Sequence, residues 1–413
     1  MRAVILAAGK GTRLEPLTEG TPKVMLPLAG KPILEYILEA AKEAGITDVT
    51  LVVGYREEDI RDYFGNGSKF ELKIGYITQK KRLGTAHAVA QARSGEDFIV
   101  MNGDALVSSK IIEKVISAHE GAATLALKRV KNPEDYGVVR LEGERVEEIV
   151  EKPREFVSDL ACIGVNAFSP RIFEAIERTE KSERGEYELT SSIEILIKEG
   201  EFVKGVEVQG KWLDIGNPWS YLDANQDVLK NLKPGIEGKV EEDVSIEGNL
   251  TLGEGSVVKS GTYIEGPVYI GKNSSIGPNT YLRAFATIGD NCHIGAGVEV
   301  KNSIIMDGTN VPHLSYVGDS IIGRACNLGA GTLVGNLRLD SKNVKMRIKG
   351  RLTDSRRRKF GCVIGDNTKL GLNVMINAGR KIGCNCMIGP GVIVYSDVPD
   401  NSFIVQKQEL VEK

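Results

Sequence analysis

At 413 residues the chain is long enough for two or more domains, each with its own core. A formal net charge of −3 gives no global reason to expect a nucleic-acid partner, and no apolar run of about 18 residues marks a membrane span. The six cysteines form no C-x-x-C pair or disulfide framework, and no signal-peptide pattern opens the chain, so reduced thiols in a cytoplasmic protein are expected.

The first predicted element is a buried strand, Val4-Ile5-Leu6, which breaks into the glycine-rich string Leu6-Ala7-Ala8-Gly9-Lys10-Gly11-Thr12-Arg13. Gly9 and Gly11 let the backbone approach a nucleotide, where a Cβ would block it. Arg13 and, further on, Lys23 of Pro22-Lys23 supply fixed positive charge for a triphosphate. The spacing fits neither a Walker loop nor a dinucleotide G-x-G-x-x-G. Residues 33–44 read as an amphipathic helix, and 49–53 and 98–101 as strands. This βαβ rhythm predicts a mostly parallel, doubly wound sheet with ligands at the carboxyl ends of its strands. Asn102-Gly103-Asp104 places a carboxylate at one such end, and Trp212-Leu213-Asp214-Ile215-Gly216 carries a second. Lys233-Pro234-Gly235 marks a linker within 233–240.

Beyond the linker the period changes to six. Ile246, Leu252, Val258, Ile264, Ile270, Ile276, Leu282, Ile288, Ile294 and Val300 form an unbroken series, resumed at Ile322, Leu328 and Val334 and again from Ile364 to Val394. Neither a helix nor an ordinary strand has that period, whereas a left-handed parallel β-helix of hexapeptide repeats does: one aliphatic side chain enters the core per short strand. Such prisms associate side by side, so a homotrimer is expected. Two features interrupt the repeat. One is Val311-Pro312-His313-Leu314-Ser315-Tyr316-Val317-Gly318-Asp319, followed by Asn327-Leu328-Gly329-Ala330-Gly331-Thr332. The other is 338–359, with ten Lys or Arg against two Asp, which predicts a projecting basic loop or hairpin.

The opening string, with Pro22-Lys23 and Lys31-Pro32-Ile33-Leu34-Glu35-Tyr36, resembles the signature of sugar-1-phosphate nucleotidylyltransferases. The β-helix half is similar to the acetyltransferase half of the bifunctional N-acetylglucosamine-1-phosphate uridylyltransferase/glucosamine-1-phosphate acetyltransferases. Together they imply an α/β nucleotidylyltransferase domain over 1–232 and a β-helix acetyltransferase domain over 241–413. The resemblance puts Leu6, Ala8, Gly9, Gly11 and Thr12 on the nucleotide, with Arg13 and Lys23 as catalytic cations. Gln79, Gly84 and Thr85 fall where the family reads its base, and a Gln amide can both donate to and accept from uracil or thymine. Asp104 and Asp214 correspond to the Mg²⁺ ligands, and oxygen-only ligation suits that hard ion. Gly137, Glu151, Lys152 and Asn166 match the sugar side. In the second half, Arg283, Lys301 and Tyr316 fall on the sugar phosphate, with Lys342 and Lys345 to screen its charge. Asn327 and Asn336 would orient the amine or the thioester. His313 would be the general base that lets an amine attack acetyl-CoA, chemistry suited to a group titrating near neutrality.

Two departures from the bacterial pattern stand out. Leu337 follows Asn336 where that family usually has tyrosine, and the basic insertion is longer. Both look archaeal, and both leave the amino sugar open. UTP or dTTP, sugar-1-phosphates and acetyl-CoA are the expected partners. Two other readings stand beside this one: a monofunctional UTP- or dTTP-glucose-1-phosphate transferase with an inert β-helix, and a non-catalytic assembly subunit of the same architecture.

Overall fold

The computed structural model describes residues 1–410 and divides into two compact units. The first comprises Met1–Lys10, Pro22–Met25 and Pro32–Asp214; the second comprises Gly11–Thr21, Leu26–Lys31 and Ile215–Lys413.

The first unit is built on a nine-stranded sheet. In chain order its strands are β1 (Arg2–Ala7), β2 (Asp48–Val53), β3 (Lys73–Thr78), β4 (Phe98–Asn102), β5 (Ala123–Arg129), β6 (Gly137–Glu142), β7 (Arg145–Glu151), β8 (Leu160–Phe168) and β9 (Val203–Glu207). Across the sheet they run β3-β2-β1-β4-β8-β5-β9-β7-β6. The β3-β2-β1-β4 half is parallel, as the βαβ rhythm requires. The other half is mixed rather than mostly parallel: β8 runs antiparallel to both β4 and β5, and β6–β7 is a hairpin. Two antiparallel strands need only a short turn, so no helical signal lies between β6 and β7 for sequence periodicity to register. Val4 and Ile5 of β1 are fully buried, since β1 lies inside the sheet with strands on both sides. Register pairs Leu6 with Asn102 and Ala7 with Val53, so the carboxyl ends of β1, β2 and β4 finish level.

The second unit is a parallel β-helix of three sheets with eight, nine and eight strands. From Leu252 to Val394 the six-residue aliphatic series lies in one core, each member no more than 3% exposed. Ile246 is the exception at 37% exposure, because it sits in the first coil with no earlier coil to cover it. The stretch 233–240, expected as a linker, is already part of the β-helix. Gly235–Ile236 pairs with Thr251–Leu252, and Lys239–Val240 with Val257–Val258. The helix Pro218–Asn231 also groups with this unit, its Asn225 accepting from Thr287 Oγ1 at 2.8 Å and donating to Phe285 O at 3.3 Å.

Successive coils pair residues eighteen apart, such as Ile270 with Ile288, until Ile288 pairs with Ile305, seventeen on. That one-residue shortening continues through Val300–Val317 and accounts for the break in register around His313. The basic segment forms the expected hairpin, Lys345–Ile348 against Arg351–Asp354. Val344, Met346 and Ile348 are buried, while Lys345, Arg347 and Lys349 face solvent, the period-two alternation of a half-buried strand. Among the described residues all six cysteines are free, and five are buried. Burial pushes the thiols of Cys292, Cys326, Cys362 and Cys384 up to about 12, so they stay protonated packing groups.

Candidate functional site

In the first unit the predicted residues gather at the carboxyl ends of the parallel strands. Leu6 O accepts from Gly103 N–H at 2.9 Å, and Ala8 O from Tyr55 N–H at 3.2 Å. These bonds clamp the opening loop against the ends of β2 and β4. Asp104 follows directly, and Lys23 Nζ lies 2.5 Å from its Oδ2, with the lysine side chain 6% exposed. Strand Trp212–Asp214 pairs antiparallel with Ala105–Val107, which sets Asp214 opposite Ala105, the neighbour of Asp104. One short ladder thus sets the backbone of Asp214 beside the residue that follows Asp104. Among the described residues no three His, Cys, Asp or Glu gather as a metal cluster. Two carboxylates suit Mg²⁺, which takes one or two from the protein and fills its octahedron with phosphate oxygens and water.

Gln79 lies just past β3, buried, and its Nε2 donates to Gly84 O at 3.1 Å and sits 2.9 Å from His87 Nδ1. Thr85 Oγ1 accepts from Leu189 N–H at 2.9 Å, so this hydroxyl already ties two segments together. On the sugar side Gly137 pairs in register with Glu151. Glu151 accepts from Arg184 at 3.0 Å and Thr190 at 3.2 Å, and Lys152 Nζ lies 3.9 Å from it. Asn166 is buried and accepts from Cys162 Sγ at 3.3 Å. The structure adds Arg184 and Thr190 beside Glu151 and His87 beside Gln79, none of which sits in a recognisable string.

Gly11, Thr12 and Arg13 belong with the second unit, where Arg13 is exposed at a 3₁₀ turn. The rest of their loop is tied to the β-helix: Arg324 donates to Thr21 Oγ1 at 2.7 Å, and Cys384 Sγ donates to Pro16 O at 3.4 Å.

Also in this second unit, Asp319 organises the predicted sugar-phosphate residues. Its carboxylate is 5% exposed and receives Lys301 Nζ at 3.0 and 3.1 Å, Asn302 Nδ2 at 2.8 Å and Asn336 Nδ2 at 2.6 Å. Asn336 also donates to Tyr316 OH at 3.0 Å. Gly318 is required beneath them, since a Cβ there would come within 2.3 Å of the Tyr316 hydroxyl. Burial, then the Asp319 charge, pushes the Tyr316 phenol up, keeping it protonated. Arg283 and Lys301 line one cavity of about 260 Å³ with Asn302, Gln226 and Glu265. Arg283 Nη1 donates to Glu299 at 2.9 Å, and that bond raises its pKa. Lys342 and Lys345 stand exposed on the insertion, and among the described residues neither bonds to the Asp319 cluster.

His313 ends the strand Asn310–His313 and is exposed. Asn310 pairs in register with Asn327 on the next coil, so His313 and Asn327 lie on neighbouring strands of one sheet. Among the described residues no side chain bonds the His313 imidazole, and its backbone carbonyl accepts from Ser315 Oγ at 2.7 Å. The cavity lined by Arg283 and Lys301 and the exposed His313 imidazole thus belong to one unit.

The nucleotidyl transferase family matches residues 2–231, the GMPPB C-terminal domain 264–368, and the hexapeptide repeat of succinyl-transferase 361–396. The bifunctional protein GlmU of Methanococcus maripaludis is 50% identical over 100% of this chain and 98% of its own. The bifunctional sugar-1-phosphate nucleotidylyltransferase/acetyltransferase of Sulfurisphaera tokodaii is 43% identical over 98% of this chain and 99% of its own. A solved UDP-glucose pyrophosphorylase complexed with UDP-glucose matches with TM-score 0.52 and 28% identity, covering 56% of this chain and 99% of that one. Among the described residues no helix is long and apolar enough to cross a membrane. With both halves accounted for end to end, the chain belongs to the family of archaeal-type bifunctional sugar-1-phosphate nucleotidylyltransferases/acetyltransferases, and it is a transferase enzyme.

Proposed function

We propose that the protein makes a UDP-N-acetylated amino sugar in two steps: N-acetylation of glucosamine-1-phosphate by acetyl-CoA, then uridylyl transfer from UTP with release of pyrophosphate. The observation that carries this reading is the Asp319 cluster, which holds Lys301, Tyr316 and Asn336 as one array on the coils that present His313. An inert β-helix has no need of a buried carboxylate satisfied by three donors.

In the acetyl transfer, His313 accepts a proton from the sugar amine as nitrogen bonds to the thioester carbon. The carbon–sulfur bond breaks, and the CoA sulfur leaves as thiolate and takes up a proton. Asn327 orients the reacting groups, while Arg283 and Lys301 hold the sugar phosphate. In the uridylyl transfer, an oxygen of the sugar phosphate attacks the α-phosphorus of UTP and the bond to pyrophosphate breaks. Arg13 and Lys23 offset the charge that accumulates, and Lys152, Glu151 and Asn166 position the sugar. Asp104 and Asp214 would hold Mg²⁺, which supplies a divalent charge to the phosphates.

An apolar column of Leu333, Met375 and Ile393, aligned in register and exposed, supports self-association of the prism into a homotrimer. Free, protonated thiols support a cytoplasmic setting.

The test is direct. Purified protein is given acetyl-CoA with glucosamine-1-phosphate or galactosamine-1-phosphate, and thiol release is followed; UTP or dTTP is then added and pyrophosphate measured. Thiol release with one amino-sugar phosphate, and pyrophosphate release with the acetylated product, are expected. A protein that releases no thiol with either amino sugar would be a monofunctional transferase.

A further inference from the structure

Gln79 is held more tightly than a base-reading side chain needs to be. Its own N–H donates to Val53 O at 2.7 Å, and the residue is 4% exposed. Its amide nitrogen carries two protons, and both are committed. One goes to Gly84 O at 3.1 Å; the other points at His87 Nδ1, 2.9 Å away. Neither acceptor is free to drift. Gly84 O also receives Ala88 N–H at 3.1 Å, the first bond of the helix Thr85–Gln91. Gly84 itself has φ +117, and a Cβ there would fall 2.4 Å from Tyr187 O, so this backbone position belongs to glycine. His87 rides on the same helix, and its carbonyl is held by Gln91 Nε2 at 3.2 Å. A neutral imidazole accepts at only one nitrogen, so accepting at Nδ1 leaves the ring proton on Nε2. What remains of the Gln79 amide is Oε1, and among the described residues no donor meets it.

We infer that His87 fixes the orientation of the Gln79 amide and thereby presents an acceptor, Oε1, to the nucleobase; this rests on the reading of Gln79 as the base-contacting residue. Uracil and thymine offer a ring N3–H donor to that oxygen. Cytosine has a bare lone pair at the same ring position, which would face Oε1 as a second acceptor. A flipped amide would suit cytosine, but it would set Oε1 against Gly84 O and oblige the His87 ring proton to move from Nε2 to Nδ1 to meet it. One acceptor–acceptor contact and a change of imidazole tautomer then oppose the flip, and the wrong base is rejected by an unpaired polar edge rather than by size. The device does not separate uracil from thymine, whose methyl group lies elsewhere on the ring. His87 is therefore a specificity-determining positioning residue that never touches the substrate.

The experiment compares initial rates of pyrophosphate release with UTP, dTTP and CTP for the full-length wild type, His87→Ala, His87→Gln and Gln79→Ala. Acetyl transfer serves as the measure of folded protein. Wild type should favour UTP and dTTP over CTP. His87→Ala loses one of two anchors, so the UTP-to-CTP ratio of kcat/KM should fall about tenfold. His87→Gln, which restores an acceptor on the helix, should recover much of that ratio. A His87→Ala enzyme that loses UTP and CTP turnover in equal proportion, or keeps the wild-type ratio while Gln79→Ala loses it, overturns the inference. An unchanged ratio in Gln79→Ala overturns the base-reading role of Gln79 itself, and the part given to His87 falls with it.

Discussion

Asn336 Nδ2 donates to Asp319 Oδ2 at 2.6 Å from the next coil of the β-helix, on the carboxylate that also grips Lys301. The two residues are seventeen positions apart, one shortened turn of the prism, so their meeting is a product of coil register. Asp319→Asn keeps the shape but sets an amide against three donors. Losing a hydrogen bond to a charged group costs about 1.5–3 kcal/mol, or roughly 10- to 150-fold in a rate or affinity. Acetyl transfer should lose kcat/KM by that order, mainly through KM for the amino-sugar phosphate, with uridylyl transfer unchanged. Equal loss of both activities would mean that Asp319 only supports the fold.

Asp104 and Lys23 make the corresponding pair in the first unit, 2.5 Å apart. Asp104→Ala should remove UDP-sugar formation by about 10²-fold or more, because charge stabilisation at the phosphates is lost. Thiol release from acetyl-CoA should continue. EDTA should reproduce the same split, stopping pyrophosphate release and sparing acylation. An Asp104→Ala protein that retains uridylyl transfer would remove the carboxylate from the metal assignment.

The six-residue aliphatic series was legible because each member enters the same core, and burial follows the pattern from Leu252 to Val394. Only Ile246, at the uncovered first coil, departs from it. The opening loop was legible as a string of glycines and cations. Residues whose role depends on stacking were not. Asp319 serves the site only because a seventeen-residue coil sets it below Asn336 and beside Lys301. His87 stands in no recognisable string, and its partner Gln79 is eight residues away, across a loop that bends at Gly84. Arg184 and Thr190 reach Glu151 from segments 33 and 39 residues downstream. Just past residue 232 the first β-helix strands are two residues long and look like coil in sequence.

The ties from Arg324 to Thr21 and from Cys384 to Pro16 make the β-helix the support of the loop that carries Arg13. Truncation after Lys233 removes both partners. The shortened protein should lose most UTP-dependent turnover even where it stays folded, because small misplacements of a positioning group cost rate steeply. Arg324→Ala, a milder change, should lower kcat/KM for UTP on the order of tenfold and leave acetyl transfer near wild type. Full uridylyl transfer by the truncated protein would show that the loop keeps its conformation unaided. Circular dichroism of the same preparation separates loss of support from loss of fold.

His313 carries the acetyl-transfer half of the proposal, and its surroundings suit a base that exchanges protons with substrate. It is exposed, it follows directly on the short coil, and Leu314 after it takes a left-handed conformation at φ 46 that turns the chain outward. His293 lies on the neighbouring strand of the preceding coil, close enough to feel the His313 charge. Burial, then Lys259 and His313, hold the His293 pKa below the ordinary range, so it is uncharged near pH 7. A neutral neighbour adds no repulsion to a proton arriving at His313. On acidification His293 charges only below that range. Wild-type acetyl transfer should fall on the acid side, because general-base catalysis needs an unprotonated base. His313→Ala should lower the rate by about 10²–10⁴-fold near neutral pH, the usual span of general-base catalysis. Its residual rate should climb steadily with pH, because a larger share of the sugar amine is then already deprotonated. Uridylyl transfer should be unaffected throughout. A His313→Ala enzyme with the wild-type acetylation rate, or one whose pH profile keeps the wild-type shape, would place the base elsewhere on these coils.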